Sequence, residues 1–182
     1  MPRKDDDFGA WAAPFVMDAI NSRIVHRSNA LNGNAYGDNF TYNEAMLAGP
    51  GMGGRMKALG IGTGTGLFFA AAAIKPTRWL LNKFVVPQPG EGPSPEAQKA
   101  GFYDIRFFGV TDNNDSIRVK VTGDADPGYG STAKLLGQAA ACLAQDVPAD
   151  APGGFWTTSS LLGDSLLKRL QEKAGMTFTV ID

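Results

Sequence analysis

Cysteine and histidine are almost missing from this chain: 182 residues contain one of each, Cys142 and His26. A lone cysteine excludes an internal disulfide and any Cys-rich zinc site. Cys142 stands among Ala and Leu in a helical stretch, which suits a small buried hydrophobe better than a nucleophile. One free thiol also agrees with a reducing, cytoplasmic compartment. His26, in Val25-His26-Arg27-Ser28-Asn29, has the chemistry of a general acid or base, but no partner is identifiable beside it. It reads as a surface or helix-capping histidine. No G-x-S-x-G elbow is present, so a hydrolase built on His26 lacks a visible nucleophile. The only run of carboxylates, Asp5-Asp6-Asp7, looks like a solvated terminal patch, and no metal site is expected. An excess of one charge is missing too. Seventeen basic and eighteen acidic residues nearly cancel, which gives no reason to expect a nucleic-acid partner. No apolar core follows Met1-Pro2-Arg3-Lys4, so no signal peptide is expected.

The apolar fraction of 43% is enough for a sizeable core. The expectation is one domain over residues 11–182, after a disordered or extraneous tail over residues 1–10. Phe8 to Asn29 reads as one helix or two short ones. Phe40 to Met46 alternates like a strand, and Gly49 to Gly54 reads as a loop. Arg55 to Ala73 is a glycine-weakened helix, and Thr77 to Phe84 is a short amphipathic continuation. Ala58 to Ile74 carries no charge for seventeen residues between Lys57 and Lys75. That is at the short limit of a membrane span. Its four glycines and two threonines favour a buried or interface helix.

After a Pro-rich loop, Ser94 caps a one-turn helix with Pro95 at its first position. Phe102–Gly109 and Ser116–Gly123 form a hairpin with one wet and one packed face. Asp126-Pro127-Gly128 is a turn that feeds a helix capped by Ser131 or Thr132. Gly128 permits a positive φ there. The backbone N–H groups at that helix start favour an anion, which places Asp126, Tyr129 and Lys134 where chemistry could sit. Thr157 or Thr158 opens a Leu-rich helix that Gly175 ends, and Met176–Ile181 is a terminal strand. The order predicts an α+β fold with a mixed or largely antiparallel sheet and helices packed on one face.

Gly49-Pro50-Gly51-Met52-Gly53-Gly54 matches G-x-G-x-x-G in form. A dinucleotide site also needs an acidic residue about twenty positions on. Nothing acidic lies between Arg55 and Gln88, so no cofactor-binding residue is assigned in this chain.

Several longer motifs remain: Ala13-Pro14-Phe15-Val16-Met17, His26-Arg27-Ser28-Asn29-Ala30-Leu31, Tyr36-Gly37-Asp38-Asn39-Phe40-Thr41-Tyr42, and Pro87-Gln88-Pro89-Gly90-Glu91-Gly92-Pro93-Ser94-Pro95. Gly123-Asp124-x-Asp126-Pro127-Gly128-Tyr129-Gly130-x-Thr132-Ala133-Lys134 and Gly153-Gly154-Phe155-Trp156-Thr157 complete the set. Together they resemble the C-terminal half of saccharopine dehydrogenase-like proteins, the group that includes the bacterial trans-acting enoyl reductases. The resemblance implies a substrate-binding and dimerisation domain, inactive alone, whose partner is an N-terminal Rossmann domain binding NAD or NADP. It also implies a small-molecule or lipid-like substrate, a homodimer, and two polar groups at the substrate cleft. These are Arg27, Ser28, Asn29 and Tyr36 in one motif, and Asp126, Tyr129 and Lys134 in the other. The competing expectation is a non-catalytic, lipid- or membrane-associating module built around residues 58–74.

Overall fold

A computed structural model of the chain describes residues 2–181. Instead of one domain, the chain divides into two compact units, Met1–Gly92 and Pro93–Asp182. Each has its own three-stranded antiparallel sheet. The α+β class therefore holds, with two small sheets in place of one.

Unit 1 opens on strands β1 (Arg3–Asp5) and β2 (Ala10–Pro14), followed by helix α1 (Asp18–Leu31). Strand β3 (Ala45–Gly49) leads into the long helix α2 (Gly51–Ala73), and α3 (Lys75–Phe84) continues beyond a break at Ile74. Sheet order is β1-β2-β3. The expected unstructured tail is partly strand, because Arg3 and Asp5 pair with Ala12 and Ala10. The expected helix over Phe8–Asn29 is strand as far as Pro14. Ala and Trp there pack small faces against α2, and tertiary contact overrides the helical preference of alanine. The expected strand at Phe40 begins only at Ala45, and the expected loop at Gly49–Gly54 is already the first turn of α2.

What draws α2 onto the sheet is a seam of small residues. Ala13, Ala48 and Ala58 are buried together, with Trp11 and Ile61 packed around them. Arg55 lays its guanidinium over the Trp11 ring, 5.4 Å from its centroid. Gly54 sits directly on the Gly49 carbonyl. A Cβ at residue 54 would overlap that oxygen and its carbon.

Unit 2 contains the one-turn helix α4 (Pro95–Ala100), the hairpin β4 (Tyr103–Val110) and β5 (Ser116–Gly123), helices α5 (Gly130–Gln145) and α6 (Thr158–Lys173), and strand β6 (Met176–Ile181). Sheet order is β4-β5-β6. Ser94 caps α4 by accepting from the Ala97 N–H, and Thr157 and Ser160 form a reciprocal capping box on α6. Gly175, with φ +71°, turns the chain from α6 into β6. α5 and α6 pack through Cys142, Leu162 and Leu166, all buried, with Ala139, Val147 and Leu170 around them. Arg169 of α6 bonds the Asp146 carboxylate and the Gln145 amide oxygen, which ties the end of α5 to its neighbour. The hairpin alternates as expected, but its apolar face is only partly packed: Ile105 is 47% and Ile117 52% exposed.

The seam gives a paired test of stability. Gly54→Ala should destabilise unit 1 by about 2 kcal/mol, because the added methyl meets backbone that cannot yield. Gly60→Ala, whose Cβ would meet nothing within 4 Å, should instead stabilise by about 0.5–1 kcal/mol, as alanine does in a helix interior. Urea midpoints of the two variants read the difference directly.

Candidate functional site

In unit 1 the motif residues gather where α1 ends. Asn29 is buried, and its side chain spans the following loop: Oδ1 accepts from the Tyr36 N–H at 2.8 Å, and Nδ2 donates to the Gly37 carbonyl at 3.1 Å. Ser28, also buried, donates to the Ile24 carbonyl at 2.9 Å. Both side chains bond backbone: Asn29 fixes the loop that carries Tyr36, and Ser28 bonds back into its own helix. Tyr36 itself is 52% exposed. Its ring tilts against Phe40, 5.2 Å between centroids. His26 meets the same Phe40 edge-on at 5.6 Å. The histidine is therefore part of an aromatic cluster, with Tyr42 stacked beyond Phe40. Arg27 lies exposed on the same helix end.

A second polar group in unit 1 has no counterpart in the sequence reading. Asp18, in the first turn of α1, accepts from the Ser22 hydroxyl at 2.9 Å and from the Glu44 N–H at 2.8 Å. Glu44 accepts from Asn21 and from the Tyr42 hydroxyl, each at 2.8 Å. Burial, followed by the bond to Glu44, pushes the Tyr42 phenol well above its ordinary value. The phenol therefore stays a donor through the whole neutral range, and its role is to orient the carboxylate. Asp18 and Glu44 line a cleft of about 230 Å³ with Arg3, Pro14, Phe15 and Asn43. Arg3 bonds Asn43 at 2.9 Å across the rim. A guanidinium has five N–H donors, so Arg3 has donors left for a carbonyl or carboxylate ligand.

In unit 2 the Asp126 turn is tightly closed. The Asp126 carboxylate accepts from the Tyr129 and Gly130 N–H groups, at 2.6 and 3.4 Å. It therefore caps α5 in place of the expected Ser131 or Thr132. The chain's own carboxylate already takes the position that an external anion would fill. Ser131 is instead fully buried, its hydroxyl 3.0 Å from that of Tyr103. Thr132 donates back to the Pro127 carbonyl at 2.6 Å. Gly128 takes no left-handed φ. Lys134 pairs with Asp124 at 2.7 Å, and that hydrogen bond holds the Asp124 carboxyl below the usual carboxylate range. Tyr129 is 55% exposed. The G-x-G-x-x-G run also finds its place in this geometry. It joins an antiparallel strand to α2, with no parallel strand pair among the described residues, and its last glycine serves close packing.

The whole constellation can be set against known proteins. The chain is similar to trans-acting enoyl reductases. A Mycobacterium bovis protein of that name is 36% identical over 174 residues, covering 89% of this chain and 39% of its own length. One from Mycobacterium ulcerans is 34% identical over 169 residues, covering 90% of this chain and 40% of its own. A Mycobacterium tuberculosis protein, provisionally given the same name, is 39% identical over 166 residues with coverages of 89% and 39%. The chain thus spans about two-fifths of the length of these reductases. No family model and no solved structure matches it.

Against the reductase similarity, the seven motif residues divide by what their side chains do. Ser28, Asn29 and Asp126 hold backbone, Lys134 holds Asp124, Tyr36 and Tyr129 present exposed phenols, and Arg27 is exposed. Sequence reasoning does not reach Arg3, Asp18, Asn43 and Glu44 as a group, since the bonds Asp18–Glu44 and Arg3–Asn43 join segments 26 and 40 residues apart. The one signal for them was a weak one, an acidic residue in the first turn of α1. Among the described residues, no group of three or more His, Cys, Asp or Glu side chains is arranged to hold a metal.

The Asp124–Lys134 pair sets a pH expectation. A carboxylate whose folded pKa is depressed contributes stability above its unfolded value, near 4. That contribution is lost as pH falls through the lower folded value. Lys134→Met should raise the Asp124 midpoint toward the ordinary range in a carboxyl NMR titration. It should cost less than about 1 kcal/mol at neutral pH, because the pair is half-exposed.

Proposed function

We propose that this chain is the substrate-binding and dimerisation part of a saccharopine dehydrogenase-like, NAD(P)-dependent oxidoreductase, and that it has no turnover by itself. The observation that carries the reading is its likeness to trans-acting enoyl reductases along nearly nine-tenths of its own length and only two-fifths of theirs. The described residues do not fit a dinucleotide. The glycine run is packed shut at Gly54, the strands around it are antiparallel, and α5 is capped by its own carboxylate. In this proposal NAD or NADP is held by a Rossmann domain that is not among the described residues.

In this reading the chain supplies walls and orientation. In unit 1 Asn29 holds the loop that carries Tyr36, with Ser28 bonded back into α1, and in unit 2 Asp126 closes the turn that carries Tyr129. Arg27 and Tyr36 in the one, and Tyr129 and Lys134 in the other, are each proposed to contact a small-molecule or lipid-like substrate. The exposed apolar face of the β4-β5-β6 sheet, including Ile105 and Val180, supports a homodimer. A cytoplasmic setting agrees with the lone reduced cysteine.

Two measurements test the proposal. Titrated into NADH or NADPH, the 182-residue chain should leave the cofactor's fluorescence unchanged; saturable binding would overturn the division of labour. In a full-length reductase, Arg27→Ala and the pair Tyr36→Phe with Tyr129→Phe should each lower kcat/KM by about tenfold or more. Asn29→Ala should act mainly by lowering thermal stability. Unchanged kinetics in the arginine and tyrosine variants would remove these residues from the substrate site.

A further inference from the structure

Helix α2 is docked for only part of its length. Gly54 and Ala58 are buried on the sheet, and the helix remains close to it at Gly62, whose added Cβ would lie 3.7 Å from Pro14. Further along, Leu67 is 71% and Phe69 53% exposed, and in α3 Trp79 is 59% and Phe84 71% exposed. A helix that is apolar all round needs an apolar surrounding on every side. Here the sheet provides it for the first turns alone.

Charge is distributed just as unevenly. Between Glu44 and Glu91 the chain has no acidic residue, while Arg55, Lys57, Lys75, Arg78 and Lys83 are all basic. These cations flank the apolar stretch and are absent from within it. Lys83 lies over both neighbouring rings, 5.0 Å from the Trp79 centroid and 5.3 Å from that of Phe84. Apolar side chains, aromatic rings and long cationic stems on one short helix form the pattern of a headgroup-level helix.

We propose that the outer half of α2 and all of α3 seat unit 1 on an anionic phospholipid bilayer. The apolar side chains enter one leaflet, and Lys75, Arg78 and Lys83 lie among the phosphates. The element rests in the leaflet and does not cross it. Helix α2 is long and apolar enough to cross a membrane, but its uncharged run of seventeen residues, about 25 Å at helical rise, is at the short limit of a span, and its first turns are held on the sheet. The choice of occupant follows from charge: a run of positive residues with no acidic one complements a negative surface and would repel an identical copy of itself. This inference goes beyond the oxidoreductase reading and does not depend on it.

Vesicle flotation of the 182-residue chain tests it. The chain should rise with phosphatidylcholine vesicles that contain phosphatidylglycerol, less with phosphatidylcholine alone, and less at high salt. Lys75→Gln with Arg78→Gln and Lys83→Gln should weaken binding to the anionic vesicles about tenfold or more. Leu67→Glu with Phe69→Glu should abolish it. Circular dichroism must show both variants folded. Trp79→Phe should remove the blue shift in tryptophan emission that vesicles produce, a readout that needs no surface charge change. A wild-type chain that remains at the bottom of the gradient overturns the proposal. So does one that forms a dimer broken by Leu67→Glu without binding vesicles. Equal flotation of the charge-neutralised variant overturns the anionic specificity.

Discussion

The Gly49 carbonyl occupies the space where a side chain at residue 54 would stand, and unit 1 is arranged around that contact. Because residue 54 has no Cβ, the first turns of α2 approach the backbone of β3 directly. Alanines at 13, 48 and 58 continue the same close fit. Small side chains release little hydrophobic free energy each, so the stability of this seam rests on close contact along its length. The seam also sets the direction of α2. It fixes the first turns of the helix to the sheet and leaves the last ones, with α3, presenting their apolar surface outward.

Unit 2 is organised by directed polar contacts more than by volume. Asp126 closes the turn before α5, Thr157 and Ser160 close the start of α6, and Arg169 ties α6 back to the end of α5. Between these fixed ends the apolar interior is modest, centred on Cys142, Leu162 and Leu166. A similar economy appears in the two polar motifs, one in each unit. Their polar residues are used mostly to hold loops, and only a few side chains per motif are left to face outward. The oddity of these motifs therefore reflects backbone positions that must be held before any ligand can be met.

Local signals were legible wherever one residue acts on its immediate neighbours. Ser94-Pro95 gave the start of α4, the alternation of Ile117, Val119 and Val121 gave the hairpin, and Gly175 gave the end of α6. Signals failed where a distant segment decides. Ala10–Pro14 has helical composition but is extended, because β1 and β3 pair with it on both sides. Asp126 is a local exception: the backbone N–H groups of its turn are taken by its own side chain, three and four residues away. The Asp18–Glu44–Tyr42 network was invisible because α1 and the start of β3 meet only in the folded unit.

By itself the sequence determined the α+β class, most element boundaries in the second half, and a likeness to one kind of oxidoreductase. These follow from capping, turn chemistry and periodicity, which act over a few residues, and from motifs long enough to be distinctive. Only the tertiary structure decided that there are two units and two sheets. It also showed which polar residues hold backbone and which face outward, and that the apolar helix is docked at one end and uncovered at the other. Those outcomes depend on which surfaces meet, and a contact between segments tens of residues apart leaves no periodic trace in the chain.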